Sequence, residues 1–241
     1  MSIGILVITY NEEEMLADCL DSVTWADEIV VVDSDSEDKT REIAKEYTDK
    51  VYIREFDNFS NQQNYGLEKL ESDWILVLDA DERITNELQT EIRNRIATGS
   101  FDLYQINIKN FFLGKWIKYG GWYPDYTDRL FKNDQSIRYT GDVHEKPKFT
   151  GKKGKIEQPV IHYTYRDINH YINKINHYSS LNAKESNKKP SIFYVFLRPL
   201  WEFISVYFIK RGFMLGKEGI IFAMISSFDR FLKYAKLWEK N

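Results

Sequence analysis

Hydrophobic positions along the first hundred residues repeat with two different periods. Short continuous apolar runs are typical of buried strands, and apolar residues spaced three or four apart are typical of amphipathic helices. Strands are predicted at 3–9, 28–32, 50–54 and 74–78, and helices at 12–23, 36–47 and 60–70. Strands that alternate with helices predict a parallel sheet with right-handed crossovers, and therefore an α/β fold. Two further strands are predicted at 102–112 and 128–131, where aromatic and β-branched residues alternate with polar ones.

The C-terminal part of the chain has a third pattern. A helix is predicted at 169–182, and a polar break follows at 185–190. Beyond it, large apolar residues are too numerous for one narrow helical stripe: Phe193, Tyr194, Phe196, Leu197, Trp201, Phe203, Tyr207 and Phe208. Cationic residues lie among them: Arg198, Lys210, Arg211, Lys217, Arg230, Lys233 and Lys236. Aromatic rings flanked by long cationic side chains suit a bilayer interface, so this region is predicted to be a peripheral membrane anchor. A helical subdomain or a dimer interface is the alternative.

Polar interruptions argue against a simple membrane-spanning helix in this region. The longest apolar run, 192–209, contains Arg198, Pro199 and Glu202. No basic segment with a cleavage site precedes the first strand, so a cytoplasmic location is expected. The single cysteine, Cys19, excludes an intramolecular disulfide and fits a reducing compartment. The net charge of −4 gives no indication of nucleic-acid binding.

Two carboxylates follow the most hydrophobic strand, one residue apart. The strand at 74–78 leads directly into Asp79, Ala80, Asp81 and Glu82. Side chains at i and i+2 of an extended segment face the same way, so Asp79 and Asp81 can converge on one ligand. Two negative charges at such a short distance require a cation between them. Mg²⁺ and Mn²⁺ are usually held by a few carboxylates together with the phosphates of a substrate. The pattern predicts a metal and a nucleotide-bound substrate.

Polar residues also follow the first two predicted strands. They are Thr9, Tyr10, Asn11 and Glu12 after the first strand, and Asp33, Ser34, Asp35 and Ser36 after the second. Ligands in such sheets bind outside the carboxyl ends of the strands, so these tips are expected to lie with Asp79 and Asp81. Asp33 and Ser36 have an alternative role, because both residue types cap helices; Ser36 is the predicted N-cap of the second helix.

Several segments together resemble the signatures of family 2 glycosyltransferases. The segments are Ile8 to Glu12, Val31 to Thr40, and Leu78 to Glu82. Within that family the chain is similar to the small lipopolysaccharide core β-1,4-glucosyltransferases. That similarity is carried by Gly121 to Asp125, Arg129 to Phe131, Val143 to Glu145, and His162 with Tyr163. The resemblance implies a GT-A fold with a mostly parallel sheet and a C-terminal helical extension, a UDP-sugar donor, and inversion at the anomeric carbon.

The resemblance also assigns donor-site residues. It implies that Thr9, Tyr10, Asn11 and Glu12 lie under the nucleotide and that Asp33 faces the base or the ribose. Asp79, Ala80 and Asp81 match the family's metal motif. His162 would complete the coordination of Mg²⁺ or Mn²⁺ or contact the diphosphate, and a structural histidine in the core is the alternative. Asp35 departs from the glycine that is common there; Asp tolerates a left-handed turn better than most residues, so the loop should be retained.

The acceptor side leaves two candidates for the catalytic base. Inverting transfer needs a group that removes a proton from the acceptor hydroxyl, and Glu145 and Asp125 are both candidates. The resemblance favours Glu145 as the base. Because the chain lacks a clear Glu-Asp motif downstream, Asp125 remains the alternative. The aromatic segment 114–124 is predicted to border the cleft, where its rings could stack on sugars or simply pack together.

The resemblance implies a lipid-linked saccharide acceptor, such as a lipopolysaccharide inner core, with glucose as the leading sugar. The enzyme would then act at the inner face of the cytoplasmic membrane. A metal-dependent phosphohydrolase is the alternative from the residues, because that class also places two aspartates after a strand. A catalytically silent membrane scaffold is the third hypothesis. We expect a catalytic domain at 1–165, with a donor half to about residue 100, and a helical extension at 166–241. The oligomeric state is left open, with a homo-oligomer among the alternatives.

Overall fold

The computed structural model describes residues 1–134, 137–141, 146–165, 167–185 and 189–240. The chain divides into two compact units. The first contains residues 1–108 and 126–162, and the second contains residues 109–125 and 163–241. Residues 109–125 therefore belong with the C-terminal part, whereas the sequence suggested one boundary near 165. The physical reason is that Phe112 and Ile117 are buried in the core of the second unit.

Four parallel strands form one side of the sheet in the first unit. They are β1 (Ile3–Thr9), β2 (Glu28–Asp33), β3 (Val51–Ile53) and β4 (Trp74–Asp79), in the order β3-β2-β1-β4. Helices α1 (Leu16–Asp21), α2 (Thr40–Tyr47) and α3 (Phe59–Leu67) connect them. The predicted alternation of strands and helices is confirmed.

Antiparallel strands continue the sheet beyond β4. The remaining strands of this sheet are β5 (Glu82–Arg83), β6 (Leu103–Phe112), β7 (Lys115–Trp116), β8 (Tyr126–Lys132) and β11 (Lys153–Tyr165). Strand β8 is antiparallel to both β4 and β6, and β5 is antiparallel to β11. The order continues β8-β6-β11-β5. Helix α4 (Asn86–Thr98) follows β5, and β9 (Arg138–Thr140) with β10 (Lys146–Lys148) forms a separate hairpin. The sheet is therefore mixed. Among the strand pairs whose registers are described, the parallel ones are those of the first four strands.

Both faces of β1 are buried, which explains why its sequence is continuously apolar. Ile3, Ile5 and Val7 pack into one hydrophobic cluster, and Leu6 packs into another. Gly66 of α3 lies so close to the sheet that a Cβ there would overlap the Leu6 side chain. The helix can approach the sheet this closely because glycine has no side chain.

Two helices begin later than the sequence suggested. Helix α1 begins at Leu16, and α2 begins at Thr40 with Lys39 as its N-cap. The prediction that Ser36 caps the second helix is wrong. Its backbone N–H and its hydroxyl both donate to the carboxylate of Asp33, so Ser36 closes the loop after β2 instead.

The second unit is built on three helices, the last residues of β6 and strand β7. The helices are α5 (Ile168–Glu185), α6 (Ile192–Ile204) and α7 (Lys217–Glu239). A π-helical turn, Ser205–Ile209, and a 3-10 turn, Gly212–Leu215, lie between α6 and α7. Trp122 packs against Phe222 of the core, with ring centroids 4.6 Å apart. Trp116 instead lies beside Tyr123 at 5.2 Å and under the ammonium of Lys109 at 4.6 Å. The aromatic segment therefore contributes at least two rings to this core, those of Tyr119 and Trp122.

Cys19 should be chemically inert in the folded protein. Its side chain is fully buried in α1, and burial raises the pKa of the thiol far above its ordinary value. The thiolate is the reactive form, so we expect reaction with a disulfide reagent such as DTNB only after unfolding. The release of thionitrobenzoate should be slow in buffer and reach one equivalent in guanidinium. Rapid modification of the native protein would show that this part of the core opens readily.

Candidate active site

The three polar strand ends lie at one edge of the sheet. Thr9 at the end of β1 is in register with Asp33 at the end of β2. Ile8, one residue earlier in β1, is in register with Asp79 at the end of β4. Since β1 lies between β2 and β4, the predicted grouping of these tips is confirmed.

Hydrogen bonds join the loops that follow β1 and β2. The Ser36 hydroxyl accepts from the backbone N–H of Asn11 at 2.8 Å, and the Asn11 side-chain oxygen accepts from the N–H of Glu37 at 2.9 Å. Asn11 and Asp35 both have left-handed backbones, with φ of 52° and 65°. The expectation that Asp35 accommodates a left-handed turn is confirmed. Asp33 is fully buried and held by Ser36, so its carboxylate is fixed in position.

The loop after β1 presents different groups. Thr9 is buried, and its hydroxyl oxygen has no hydrogen-bond partner among the residues that the structure describes. Tyr10 is 55% exposed. The backbone N–H of Glu12 donates to the Thr40 hydroxyl at 2.8 Å. A buried hydroxyl without a partner is costly unless a ligand or water satisfies it, so Thr9 is the residue of this loop that most needs a further contact.

A mostly buried arginine contacts two carboxylates at the end of β4. The Arg129 Nη2 lies 2.8 Å from the Glu82 Oε1 and 3.1 Å from the Asp79 Oδ2. The other Glu82 oxygen accepts from the backbone N–H of Asp79 at 2.9 Å. The Glu82 side chain is fully buried, whereas that of Asp79 is 47% exposed. Arg129 and Glu82 therefore hold Asp79 with part of its carboxylate in solvent.

Burial and charge act in opposite directions on this group. Burial raises the pKa of Glu82 to about 7, although the Arg129 guanidinium pulls it downward. Burial by itself lowers the pKa of Arg129, but the carboxylates of Glu82 and Asp79 more than offset this and raise it. Arg129 therefore remains a cation, and it neutralises much of the negative charge that collects at this strand end.

Asp81 is paired with His162 through the short strand β5. The pairing of β5 with β11 places His162 in register with Glu82, the residue next to Asp81. The His162 Nε2 lies 3.2 Å from the Asp81 Oδ1, and both side chains are mostly buried. Burial alone lowers the pKa of His162, but the Asp81 carboxylate outweighs it, so the pKa is raised. A segment eighty residues away in the chain thus contributes to the same strand end.

The predicted metal ligands are divided between two groups. Asp81 lies with His162, while Asp79 lies with Arg129. Within the described part of the chain, no group of three or more His, Cys, Asp or Glu side chains is arranged to hold a metal ion. An oxygen and a nitrogen donor do converge at Asp81 and His162, and Mg²⁺ or Mn²⁺ commonly takes its remaining ligands from substrate phosphates and water. The residues present therefore fit a metal that the substrate completes.

Two functional neighbours of the carboxylate pair were not recognised as such from sequence. Glu82 orients the Asp79 backbone, as described above. Arg83 donates to the carbonyl oxygens of Ala80 at 3.0 Å and Met15 at 2.7 Å, which fixes the residue between the two aspartates. The only available signal was that Glu82 and Arg83 directly follow the pair in the chain.

The two candidate bases differ in what the structure describes of them. Asp125 belongs to the second unit and is exposed. Glu145 lies outside the described residues. The choice between them therefore stays a prediction from sequence.

The chain is similar to known proteins over most of its length. The model of glycosyl transferase family 2 matches residues 4–153. An uncharacterized glycosyltransferase of Rickettsia typhi is 32% identical, and the alignment covers 98% of this chain and 87% of the relative. The lipopolysaccharide core biosynthesis glycosyltransferase LpsC of Rhizobium meliloti is 26% identical, with 100% of this chain and 93% of the relative covered.

A solved structure shows the same fold. The crystal structure of S. aureus TarS 1–349 in complex with UDP-GlcNAc has a TM-score of 0.50 and 14% sequence identity. The superposition covers 100% of this chain and 91% of that one. Together with the mixed sheet and its flanking helices, this confirms the expected GT-A fold.

Proposed function

This chain belongs to glycosyl transferase family 2, and on that premise we propose that it transfers a hexose from a UDP-sugar to a lipid-linked saccharide, with inversion at the anomeric carbon. The observation that carries the proposal is the convergence of Thr9, Asp33 and Asp79 at one sheet edge, with Asp81 two residues further along the chain. Three of these four residues carry carboxylates, and the cation Arg129 and the histidine His162 lie beside them. A nucleoside diphosphate with a divalent metal complements that charge pattern.

Each residue of the edge has a defined task in this proposal. Asp81 and His162 would hold the metal, and Asp79, kept in place by Arg129, would offer its exposed carboxylate to the metal and the diphosphate. Thr9 and Asp33 contact the nucleoside. When bound, the metal neutralises the charge that develops on the departing UDP. Asp125 or Glu145 removes the proton from the acceptor hydroxyl as that oxygen attacks the anomeric carbon.

The acceptor class is supported by a relative rather than by the site. LpsC is named for lipopolysaccharide core biosynthesis, and it aligns with this whole chain. An acceptor of that kind is a saccharide attached to lipid, and the enzyme would meet it at the inner face of the cytoplasmic membrane. Glucose is the first sugar to test, followed by galactose and N-acetylglucosamine.

Binding of UDP is the direct test of the donor site. Titration calorimetry of UDP in Mn²⁺ should show binding that weakens at least about tenfold in EDTA, because part of the affinity is the metal's contact with the diphosphate. ADP serves as the control for base recognition. Equal binding of UDP with and without metal would show that a metal does not contribute to donor binding, which contradicts that part of the proposal. Release of inorganic phosphate from UDP-sugars, without sugar transfer, would favour the phosphohydrolase alternative.

A further inference from the structure

The most apolar side of α6 faces solvent. Phe193, Phe196, Leu197, Leu200 and Trp201 are each 55% to 71% exposed. Their spacing of i, i+3, i+4, i+7 and i+8 places them on one face of the helix, which we call the outer face. Val195, on the opposite side, is buried. A surface helix of a globular protein normally packs such an apolar stripe against the protein core. An apolar stripe exposed to solvent, like the outer face, is typical of a surface that binds another molecule or a membrane.

Helix α7 carries a second exposed apolar stripe. Ile220, Met224, Phe228 and Phe231 are exposed at spacings that place them on one side of the helix, while Phe222 is fully buried. Helices α6 and α7 pack antiparallel: the Tyr194 and Tyr234 rings are 6.3 Å apart, and the Ser227 hydroxyl donates to the carbonyl of Pro199 at 2.8 Å. The second unit therefore leaves apolar stripes uncovered on two packed helices.

The charges around these stripes favour an anionic partner. Residues 189–240 contain nine Lys and Arg against four Asp and Glu. Two of the four acids are neutralised within the unit, since Glu202 lies 3.3 Å from Arg230 and Glu218 lies 3.0 Å from Lys115. Arg198, Lys210, Arg211 and Lys217 are exposed. The Arg198 guanidinium carbon also lies 5.3 Å from the centroid of the Tyr194 ring. Long cationic side chains often lie beside aromatic residues in this way at a membrane interface.

The same charges disfavour a second copy of the chain as the partner. Two copies related by a two-fold axis would bring identical patches together, and the exposed cations would then face each other. An anionic bilayer instead supplies both an apolar interior for the phenylalanines and phosphate groups for the cations.

The helix is better suited to lie in the interface than to cross the bilayer. Among the described residues, the stretch Ile192–Ile209 is long and apolar enough to span a membrane by length and composition, and only 11% of it is buried. However, Arg198 and Glu202 lie in its middle, and Glu202 is paired with Arg230 of α7. Crossing the bilayer would require either breaking that pair or carrying it into the hydrocarbon.

We propose that the outer face of α6, with the neighbouring exposed stripe of α7, docks in the plane of an anionic phospholipid bilayer. The side chains of Phe196, Leu200 and Trp201 enter the boundary between headgroups and acyl chains. The exposed arginines and lysines contact the lipid phosphates. This interaction needs neither the donor nor the acceptor, so it stands independently of the glycosyl-transfer chemistry.

Co-sedimentation with vesicles tests the surface directly. The full chain should bind vesicles of phosphatidylcholine and phosphatidylglycerol and bind phosphatidylcholine alone more weakly. Phe196→Ser/Leu200→Ser should weaken binding about tenfold or more, because both exposed side chains lose their apolar contact with lipid. Ile53→Thr is the matched control: Ile53 is 55% exposed in the first unit, and its replacement should leave binding unchanged. Arg198→Gln/Lys217→Gln should reduce only the part of the affinity that depends on phosphatidylglycerol.

Two further measurements make the result decisive. Circular dichroism and UDP titration of each variant should match the wild type, which separates loss of docking from loss of fold and from failure of the donor-site proposal. Sedimentation velocity without lipid should show a monomer. Equal vesicle binding by the wild type and Phe196→Ser/Leu200→Ser would overturn the proposal. So would a lipid-free dimer that this double variant dissociates, because the outer face would then be covered by a second copy.

Discussion

Asp81→Asn is expected to reduce sugar transfer at least about a hundredfold, because it removes a charged oxygen from the position where the metal and diphosphate would bind. The substitution keeps the size of the side chain. It also replaces the carboxylate that lies 3.2 Å from His162 with a neutral amide, so both donors of the proposed metal site are affected. The expected loss is in kcat together with a weaker metal-dependent affinity for UDP.

The control for this result is Asp49→Asn. Asp49 is exposed in the loop before β3, and replacing it removes the same charge from a place remote from the strand-end carboxylates. Transfer by this variant should equal that of the wild type. Thermal unfolding of Asp81→Asn should remain cooperative, which assigns the loss to the site. Near-normal transfer by Asp81→Asn would show that the aspartate pair is structural.

Arg129→Met is expected to destabilise the folded protein by about 3 kcal/mol or more, because it leaves a buried carboxylate without its cation. The Glu82 side chain is fully buried and 2.8 Å from the guanidinium. Methionine retains much of the apolar volume, so the loss is mainly electrostatic. Urea unfolding followed by circular dichroism should show a lower midpoint with an unchanged slope.

Two variants identify the cause of this loss. Glu82→Gln/Arg129→Met removes both charges and should recover part of the stability, as expected when a buried pair is removed as a unit. Arg138→Met breaks an exposed ion pair with Glu68, at 3.7 Å, and should cost less than about 1 kcal/mol. A loss of similar size in Arg129→Met and Arg138→Met would contradict the role assigned to Arg129.

The stability lost in Arg129→Met should also depend on pH. In the wild type, burial raises the pKa of Glu82 from 4.5 to about 7, so the folded state holds this proton more tightly than the unfolded chain. The corresponding stabilisation is complete below pH 4.5 and is lost as the pH rises through about 7. Removing Arg129 removes the charge that lowers this pKa. The stability of the variant should therefore continue to fall above about pH 7, where that of the wild type levels off. The double variant, which lacks Glu82, should lose this additional slope.

Prediction from sequence succeeded where a local pattern has a single structural solution. The apolar runs of β1 and β4 are buried on both faces, so they could only be strands of a covered parallel sheet. The sheet then placed Thr9, Asp33 and Asp79 together, because parallel strands end at one edge. Ser36 shows the limit of this reasoning. Its residue type suits a helix cap, but the nearby Asp33 carboxylate accepts both of its hydrogen bonds, and the helix begins four residues later.

Contacts between distant segments determined the features that could not be predicted from sequence. The sequence alone determined the α/β order, the carboxylate pair at the end of β4 and the excess of aromatic and basic residues after residue 188, because each depends on neighbours along the chain. Only the tertiary structure paired Asp81 with His162, tied Asp79 to Arg129 and turned the outer face of α6 toward solvent. Residue order sets local periodicity, whereas the partner of a buried charge and the exposed side of a helix depend on which distant segments pack against it.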